Sequence, residues 1–217
     1  MNNKGTVKLE TERLILRRGT KEDSMQVYEN YGKDPLVSKY VVWNQHEDVQ
    51  DAINLMDKWE KSYDELNSYK WLVIEKETNE VVGSITAVKV DDKNKTIALG
   101  YCYGSKWWNK GYATEALKRV IEFFFEEVKV ETIYANHLTD NVASGIVMKK
   151  AGMVFEGTLR NRMIDKNTNK SMGLETYSIT REDYFEAFDK YCSFCEEAIP
   201  KRSEQIIERL KEILNLN

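Results

Sequence analysis

The segment Gly104-Ser105-Lys106-Trp107-Trp108-Asn109-Lys110-Gly111-Tyr112-Ala113-Thr114-Glu115-Ala116 joins a strand-like run, Thr96 to Tyr103, to an amphipathic helix. In that helix, expected over Ala113 to Val128, the residues Ala113, Ala116, Leu117, Val120, Ile121, Phe124 and Val128 recur at i, i+3, i+4, i+7 spacing, so one stripe is apolar. The first turn of a helix leaves its N–H groups without backbone partners, and the macrodipole adds about half a positive charge there. A diphosphate satisfies both. Gly111 lets a ligand approach the backbone closely and allows unusual dihedrals, and the small Ala113 keeps the path clear. Two familiar phosphate loops do not fit. Counted from Gly104, the second glycine of a Walker loop should stand where Asn109 is, and Lys110 precedes its glycine. A dinucleotide fingerprint lacks its third glycine, and the strands before it form a meander. The segment is therefore either a strand–turn–helix pyrophosphate cradle or a turn with an incidental glycine.

The rest of the chain supplies the layers. Leu14-Ile15-Leu16-Arg17 reads as an opening strand, and Glu22 to Tyr31 and Glu47 to Leu66 as helices, the second with Val49, Ile53, Met56 and Trp59 on one face. Tyr69 to Glu75, Val81 to Val90 and Thr96 to Tyr103 read as strands separated by Thr78-Asn79-Glu80 and Asp91-Asp92-Lys93-Asn94, an antiparallel meander. Thr132 to Leu138 is a further strand, and Asn141 to Ala151 a helix stopped by Gly152. Two strands, Val154 to Ile164 and Met172 to Ile179, flank the turn Asp165-Lys166-Asn167-Thr168-Asn169. From Arg181 the pattern is helical, with Ile206, Ile207, Leu210, Ile213 and Leu214 on the last segment. Strands and helices in this order imply an α+β fold with a mixed, mostly antiparallel sheet. The expected division is a domain over residues 1–185 and a helical extension over 186–217.

Composition narrows the function. A 217-residue chain with 41% hydrophobic and 31% charged residues supports a folded core. The net charge of −4 argues against general nucleic-acid binding, which needs a basic face. No apolar run approaches the ~20 residues of a membrane span. Met1 to Gly5 lacks the apolar stretch of a signal peptide, and Cys102, Cys192 and Cys195 imply no disulfide framework. A reducing cytoplasm is the simplest address.

A second helix start adds to the first. Asn141-Val142-Ala143-Ser144 opens a helix that closes at Lys149-Lys150-Ala151-Gly152-Met153. Together with Thr11-Glu12-Arg13-Leu14-Ile15-Leu16-Arg17, the run Trp108 to Ala116, and Glu156-Gly157 followed by Leu159-Arg160, it resembles the GNAT acetyltransferases. The branch it is most similar to is that of the ribosomal-protein N-acetyltransferases (RimJ/RimL type). The resemblance covers about residues 8 to 185, with four motifs in order. It implies a sheet whose central strands, Thr96–Tyr103 and Thr132–Leu138, splay apart around acetyl-CoA. Tyr101, Cys102 and Tyr103 would flank the pantetheine. The pyrophosphate would meet the N–H groups from Lys110 to Ala113, within the cofactor-binding run Trp108, Asn109, Lys110, Gly111, Tyr112, Ala113 and Thr114. Asn141, Ser144 and Lys150 would bind from the following helix. No metal is expected.

Acetyl transfer to an amine needs a base, because a free α-amine has a pKa of ~7.7–8.0 and a lysine ~10.4. It also needs an oxyanion donor, for which an unpaired backbone N–H near Cys102 or Tyr103 would serve. The departing thiolate needs a proton or hydrogen bond. The resemblance assigns that role to Ser144, whose plainer role is a helix cap. Where related enzymes often carry a carboxylate, this chain has Ala98. His137 is the preferred substitute base, with Glu175, Tyr103 or a chain of waters as alternatives. Cys102 reads as a buried strand residue rather than an acetyl carrier, and Cys192-Ser193-Phe194-Cys195 as a packed helix face rather than a zinc or redox site. Tyr40, Trp43, Trp59 and Trp71 are core residues by default that could partly line an acceptor pocket. The apolar side of the last helix needs a partner, the domain itself or a second chain in a homodimer. The expected function is N-acetyl transfer from acetyl-CoA to a primary amine, of a protein N-terminus or a small molecule, directly within a ternary complex. Its rival is a non-catalytic CoA-binding sensor or interaction module.

Overall fold

The computed structural model describes residues 1–166 and 168–187. The chain divides into a unit Met1–Ile179 and a second that begins at Thr180, of which residues 180–187 are described and 181–187 are helical. Asn167, Cys192, Cys195 and the apolar stripe expected at the C-terminal end lie outside the described residues.

The elements in chain order are β1 (Leu9–Glu10), β2 (Leu14–Arg17), α1 (Ser24–Val27), α2 (Pro35–Ser38), α3 (Val49–Ser62), β3 (Lys70–Glu75), β4 (Val81–Asp91), β5 (Thr96–Tyr103), α4 (Tyr112–Phe123), β6 (Thr132–Leu138), α5 (Val142–Lys150), β7 (Val154–Ile164) and β8 (Ser171–Thr180). They build one eight-stranded sheet in the order β1-β2-β3-β4-β5-β6-β8-β7. Neighbours from β1 to β5 are antiparallel, as are β7 and β8, while β5 and β6 are parallel.

Both faces of the sheet are covered, which is why Trp71, Leu72, Val73 and Ile74 of β3 are all buried instead of alternating. On one face, Leu72 and Ile74 pack with Val27 and Tyr31 and with Ala52, Met56 and Trp59 of α3. On the other, Trp71 meets Phe123 and Phe124 edge-on at centroid separations of 5.9 and 6.0 Å. Truncating a buried aromatic of this kind costs about 3–5 kcal/mol. Trp59 and Trp71 are core residues, as is the default for such aromatics, whereas Tyr40 and Trp43 are half-buried.

Several elements differ from the pattern-based expectation. The helix expected over Glu22 to Tyr31 is broken into a 3-10 turn (Lys21–Asp23), α1 and a wider π turn (Tyr28–Gly32). The helix expected from Glu47 begins at Val49, because the Asp48 carboxylate accepts the Gln50 N–H at 2.8 Å and caps it. The helix expected to run unbroken to Val128 is α-helical to Phe123 and continues as a π turn (Phe124–Val128). The pattern did not announce β1, or α2 with Asp34 as its cap and Pro35 in its first turn.

The feature that positions the site is the divergence of β5 and β6. Their pairing runs from Thr96↔Thr132 to Leu99↔Ala135 and stops, although β5 continues to Tyr103 and β6 to Leu138. On its other side β5 stays paired to β4, where Val88 is an extra residue between Ala87↔Leu99 and Lys89↔Ala98. Such a bulge bends and twists a strand locally.

Candidate active site

The junction after β5 is held from beneath. Trp107 is buried, and the Trp108 indole N–H donates to the Tyr103 carbonyl at 2.7 Å, fixing the chain to the end of β5. Asn109 and Gly111 then take left-handed dihedrals, φ 62 and 83°. Asparagine tolerates this region and glycine enters it without penalty. Gly111 is the N-cap of α4 and provides no capping side chain. The first helical bond runs from the Glu115 N–H to the Gly111 carbonyl at 3.0 Å. Among the described residues no group accepts a hydrogen bond from the N–H of Gly111, Tyr112, Ala113 or Thr114. Asn109, Lys110 and Gly111 are exposed. The cradle reading requires donors without protein partners at the helix start, and these four N–H groups have none among the described residues.

The gap between β5 and β6 is bordered by the first turn of α5. The Asn141 side chain accepts the Ser144 N–H, so Asn141, not Ser144, caps this helix. Ser144 is left with a free role for its hydroxyl, whose oxygen lies 2.8 Å from the Tyr101 hydroxyl. The same phenol donates to the Ser144 carbonyl at 3.1 Å. Burial pushes the Tyr101 phenol well up, against the opposing pull of the Ser144 hydrogen bond, so it stays protonated.

Two expected catalytic residues have other surroundings than those anticipated. Tyr103 is buried, its hydroxyl has no partner, and burial raises it well above the ordinary phenol value. A proton acceptor at neutral pH it is not. The His137 side chain is 2% exposed, and a Cβ on Gly145 of α5 would come within 2.8 Å of its Nε2. Its Nδ1 is 2.8 Å from the Leu138 carbonyl, which can only accept, so Nδ1 carries a proton. Nε2 lies 3.3 Å from Glu175 Oε2 without the alignment of a hydrogen bond. His137 therefore cannot touch an acceptor itself. The Glu175 side chain, 30% exposed, lies against that nitrogen, and the Tyr177 ring stacks on the imidazole at 5.6 Å.

Cys102 is on the opposite face of β5, its thiol 3.3 Å from the Ser84 hydroxyl. Burial pushes that thiol up to about 11, which leaves it protonated and a poor nucleophile. Ala98 is buried. Lys150 is exposed at the far end of α5, about 12 Å of helix rise from Val142. Tyr101, Asn141, Ser144, His137 and Glu175 thus gather round the start of α5, while Tyr103, Cys102 and Lys150 do not join them. A cavity of about 580 Å³ is lined by Tyr28, Lys33, Ser38, Asn44, His46 and Lys166, among others. Burial lowers the His46 imidazole, which keeps it neutral near pH 7.

A family profile described as acetyltransferase (GNAT) domain matches residues 13–154, from just before β2 to the first residue of β7. The chain belongs to the GNAT acetyltransferase family. Its sheet of eight strands with flanking helices is the GNAT fold. Among curated relatives, the uncharacterized N-acetyltransferase YoaA of Bacillus subtilis is 29% identical over 160 residues, 74% of this chain and 90% of that protein. A solved GNAT-family acetyltransferase from Bacillus anthracis superposes with a TM-score of 0.71 and 28% identity, over 81% of this chain and 99% of that one. The structure of RimL, a ribosomal L7/L12 α-N-protein acetyltransferase in complex with coenzyme A, has a TM-score of 0.72 at 14% identity, over 80% and 98%, and shares the fold. As a GNAT member the chain is an acetyl-CoA-dependent acetyltransferase. Among the described residues no group of three or more His, Cys, Asp or Glu side chains gathers as a metal site, and no helix is long and apolar enough to cross a membrane.

Proposed function

We propose that this enzyme acetylates a primary amine, of a protein N-terminus or a small molecule, by direct transfer within a ternary complex, and that it belongs with the ribosomal-protein N-acetyltransferase branch of its family. The observation that carries the reading is the row of partnerless N–H groups from Gly111 to Thr114 beside the gap between β5 and β6. These amides and the positive end of α4 hold the diphosphate of acetyl-CoA. The pantetheine arm runs along the unpaired edge of β5 toward Asn141 and Ser144.

The acceptor amine, as its free base, attacks the thioester carbonyl carbon. A backbone N–H on the unpaired edge of β5, near Cys102 or Tyr103, stabilises the oxyanion. The carbon–sulfur bond then breaks, and Ser144 donates a hydrogen bond to the departing thiolate. Tyr101 supports it by donating to the Ser144 oxygen, which frees the serine hydrogen for sulfur. The amine proton leaves through water to Glu175, with His137 acting behind that carboxylate as a positioning residue. The acceptor enters by the cavity around His46, whose polar lining comes from the stretch between α1 and α3 and from Lys166. We place this work in a reducing cytoplasm, away from nucleic acid and membrane, with a second copy of the chain as the candidate partner for the apolar stripe near the C-terminus.

The alternative of a non-catalytic CoA-binding module is disfavoured by relatives such as YoaA, which bear the name N-acetyltransferase. Calorimetric titration with acetyl-CoA, followed by thiol release with a panel of amines, tests the proposal. Saturable binding with turnover of at least one amine is expected. No binding heat at millimolar acetyl-CoA would refute the cofactor site, and binding without turnover of any amine would refute the transfer.

A further inference from the structure

Arg13 immediately precedes β2, and its side chain is spent on the turn before α4. Its Nη1 donates to the Lys110 carbonyl at 3.0 Å. Its Nε donates to Glu115 Oε2 at 2.7 Å, and Nη2 lies 2.6 Å from the same oxygen. The Arg13 backbone N–H and the Thr11 hydroxyl both donate to Glu115 Oε1, at 3.0 and 2.5 Å. The guanidinium carbon lies 4.6 Å from the centroid of the Tyr112 ring, whose hydroxyl is hydrogen-bonded to Glu75. A Cβ placed on Gly111 would stand 3.4 Å from Arg13 Nη2, so the cation lies directly against the glycine.

Two physical consequences follow from this placement. A trans peptide is planar, with its C=O and N–H on opposite sides. Holding the Lys110 carbonyl toward Arg13 therefore turns the Gly111 N–H the other way, where no protein group receives it. Glu115 in the first turn of α4 would by itself repel an anion bound at the helix start. The fork from Arg13 neutralises it and draws it back toward β2.

We propose that Arg13 is a positioning residue for the diphosphate of acetyl-CoA: it aims the Gly111 amide by holding the Lys110 carbonyl, and it cancels the charge of Glu115 in the same fork. The role rests on the reading of the α4 start as the diphosphate site. A lysine cannot replace it, because a single ammonium group lacks the planar set of donors needed to serve both partners.

The test is calorimetric titration of the full chain with acetyl-CoA and with S-acetylpantetheine, which ends before the diphosphate. For R13A and R13K alike, the acetyl-CoA Kd should rise about tenfold, equivalent to about 1.4 kcal/mol. The S-acetylpantetheine Kd should stay within about twofold, since that ligand does not reach the turn. E115Q keeps the Arg13–Lys110 bond, removes the charge, and should bind acetyl-CoA within about threefold of wild type. It carries the test where R13A folds poorly. An R13K protein that binds acetyl-CoA like wild type would reduce the role to charge and overturn the proposal. So would equal weakening for both ligands, or a tenfold loss in E115Q. A wild-type chain that binds acetyl-CoA no better than S-acetylpantetheine would instead overturn the diphosphate reading itself, and the role of Arg13 with it.

Discussion

Tyr101 Oη stands 2.8 Å from Ser144 Oγ and 3.1 Å from the Ser144 carbonyl oxygen, joining β5 to α5 where β5 has parted from β6. The phenol has one proton and two acceptors. When it donates to the carbonyl, the serine hydroxyl is drawn to the phenol oxygen. When it donates to Oγ, the serine hydrogen is free to meet a leaving group. For S144A the expected loss is about 10²-fold in kcat, the usual contribution of a general acid. For Y101F, which removes the supporting hydrogen bond, about tenfold is expected. In both, the KM for acetyl-CoA should stay within about threefold, measured by thiol release with an amine that turns over. A rise in KM with kcat intact would assign the pair to binding instead.

Gly111 has φ 83°, a conformation that costs an L-residue about 1–2 kcal/mol. For G111A the melting temperature should fall by about 3–6 °C in a chain of this size, and acetyl-CoA affinity should fall with it. G111N should lie between the two, because asparagine enters the left-handed region more readily. Differential scanning calorimetry with and without acetyl-CoA measures both effects. An unchanged midpoint in G111A would mean that the turn relaxes without strain.

Glu115 links pH to stability. Its partial burial alone would raise the carboxyl, but hydrogen bonds from Thr11 and from the backbone and side chain of Arg13 outweigh that and hold it below its ordinary value of 4.5. A folded value below the unfolded one means that the stabilisation is present above pH 4.5 and is lost as pH falls through the lowered value. Urea unfolding between about pH 5 and pH 3 should show a shallower loss of stability in E115Q than in wild type. Parallel slopes would show that Glu115 is not held this way.

Cys102 bears on direct transfer. With its thiol pushed up to about 11, it should carry no acetyl group after incubation with acetyl-CoA, as read by mass mapping of the peptide around it. C102A should retain kcat within about threefold, allowing for a small packing loss. A stable acetyl-Cys102 that forms and decays at the turnover rate would replace direct transfer with a two-step route.

How far the residues alone reveal this molecule depends on the range of the interactions. The bounds of β5, β6 and β7 agree with the runs read between turn signals, and Asn141 and Gly152 mark the ends of α5, since turn residues and helix caps are local effects. The π turns after Val27 and Phe123 carry no such local signal, because wide turns follow from how packed helices meet the sheet. His137 shows a signal that was available. It lies two and four residues after Ala135 and Ile133, on the packed face of β6, and so was placed for burial rather than for contact with an acceptor. Arg13 and Lys110 are 97 residues apart, and Tyr101 and Ser144 are 43 apart. No periodicity joins such pairs, and the fold alone brings them within reach.

The most direct measurement is of the amides themselves. In ¹⁵N-labelled protein titrated with acetyl-CoA, the Gly111, Tyr112, Ala113 and Thr114 N–H resonances should move downfield and show the largest changes in the chain, while S-acetylpantetheine should leave them nearly still. If acetyl-CoA binds and those resonances stay in place while others move, the diphosphate is held elsewhere and the account of this site is wrong.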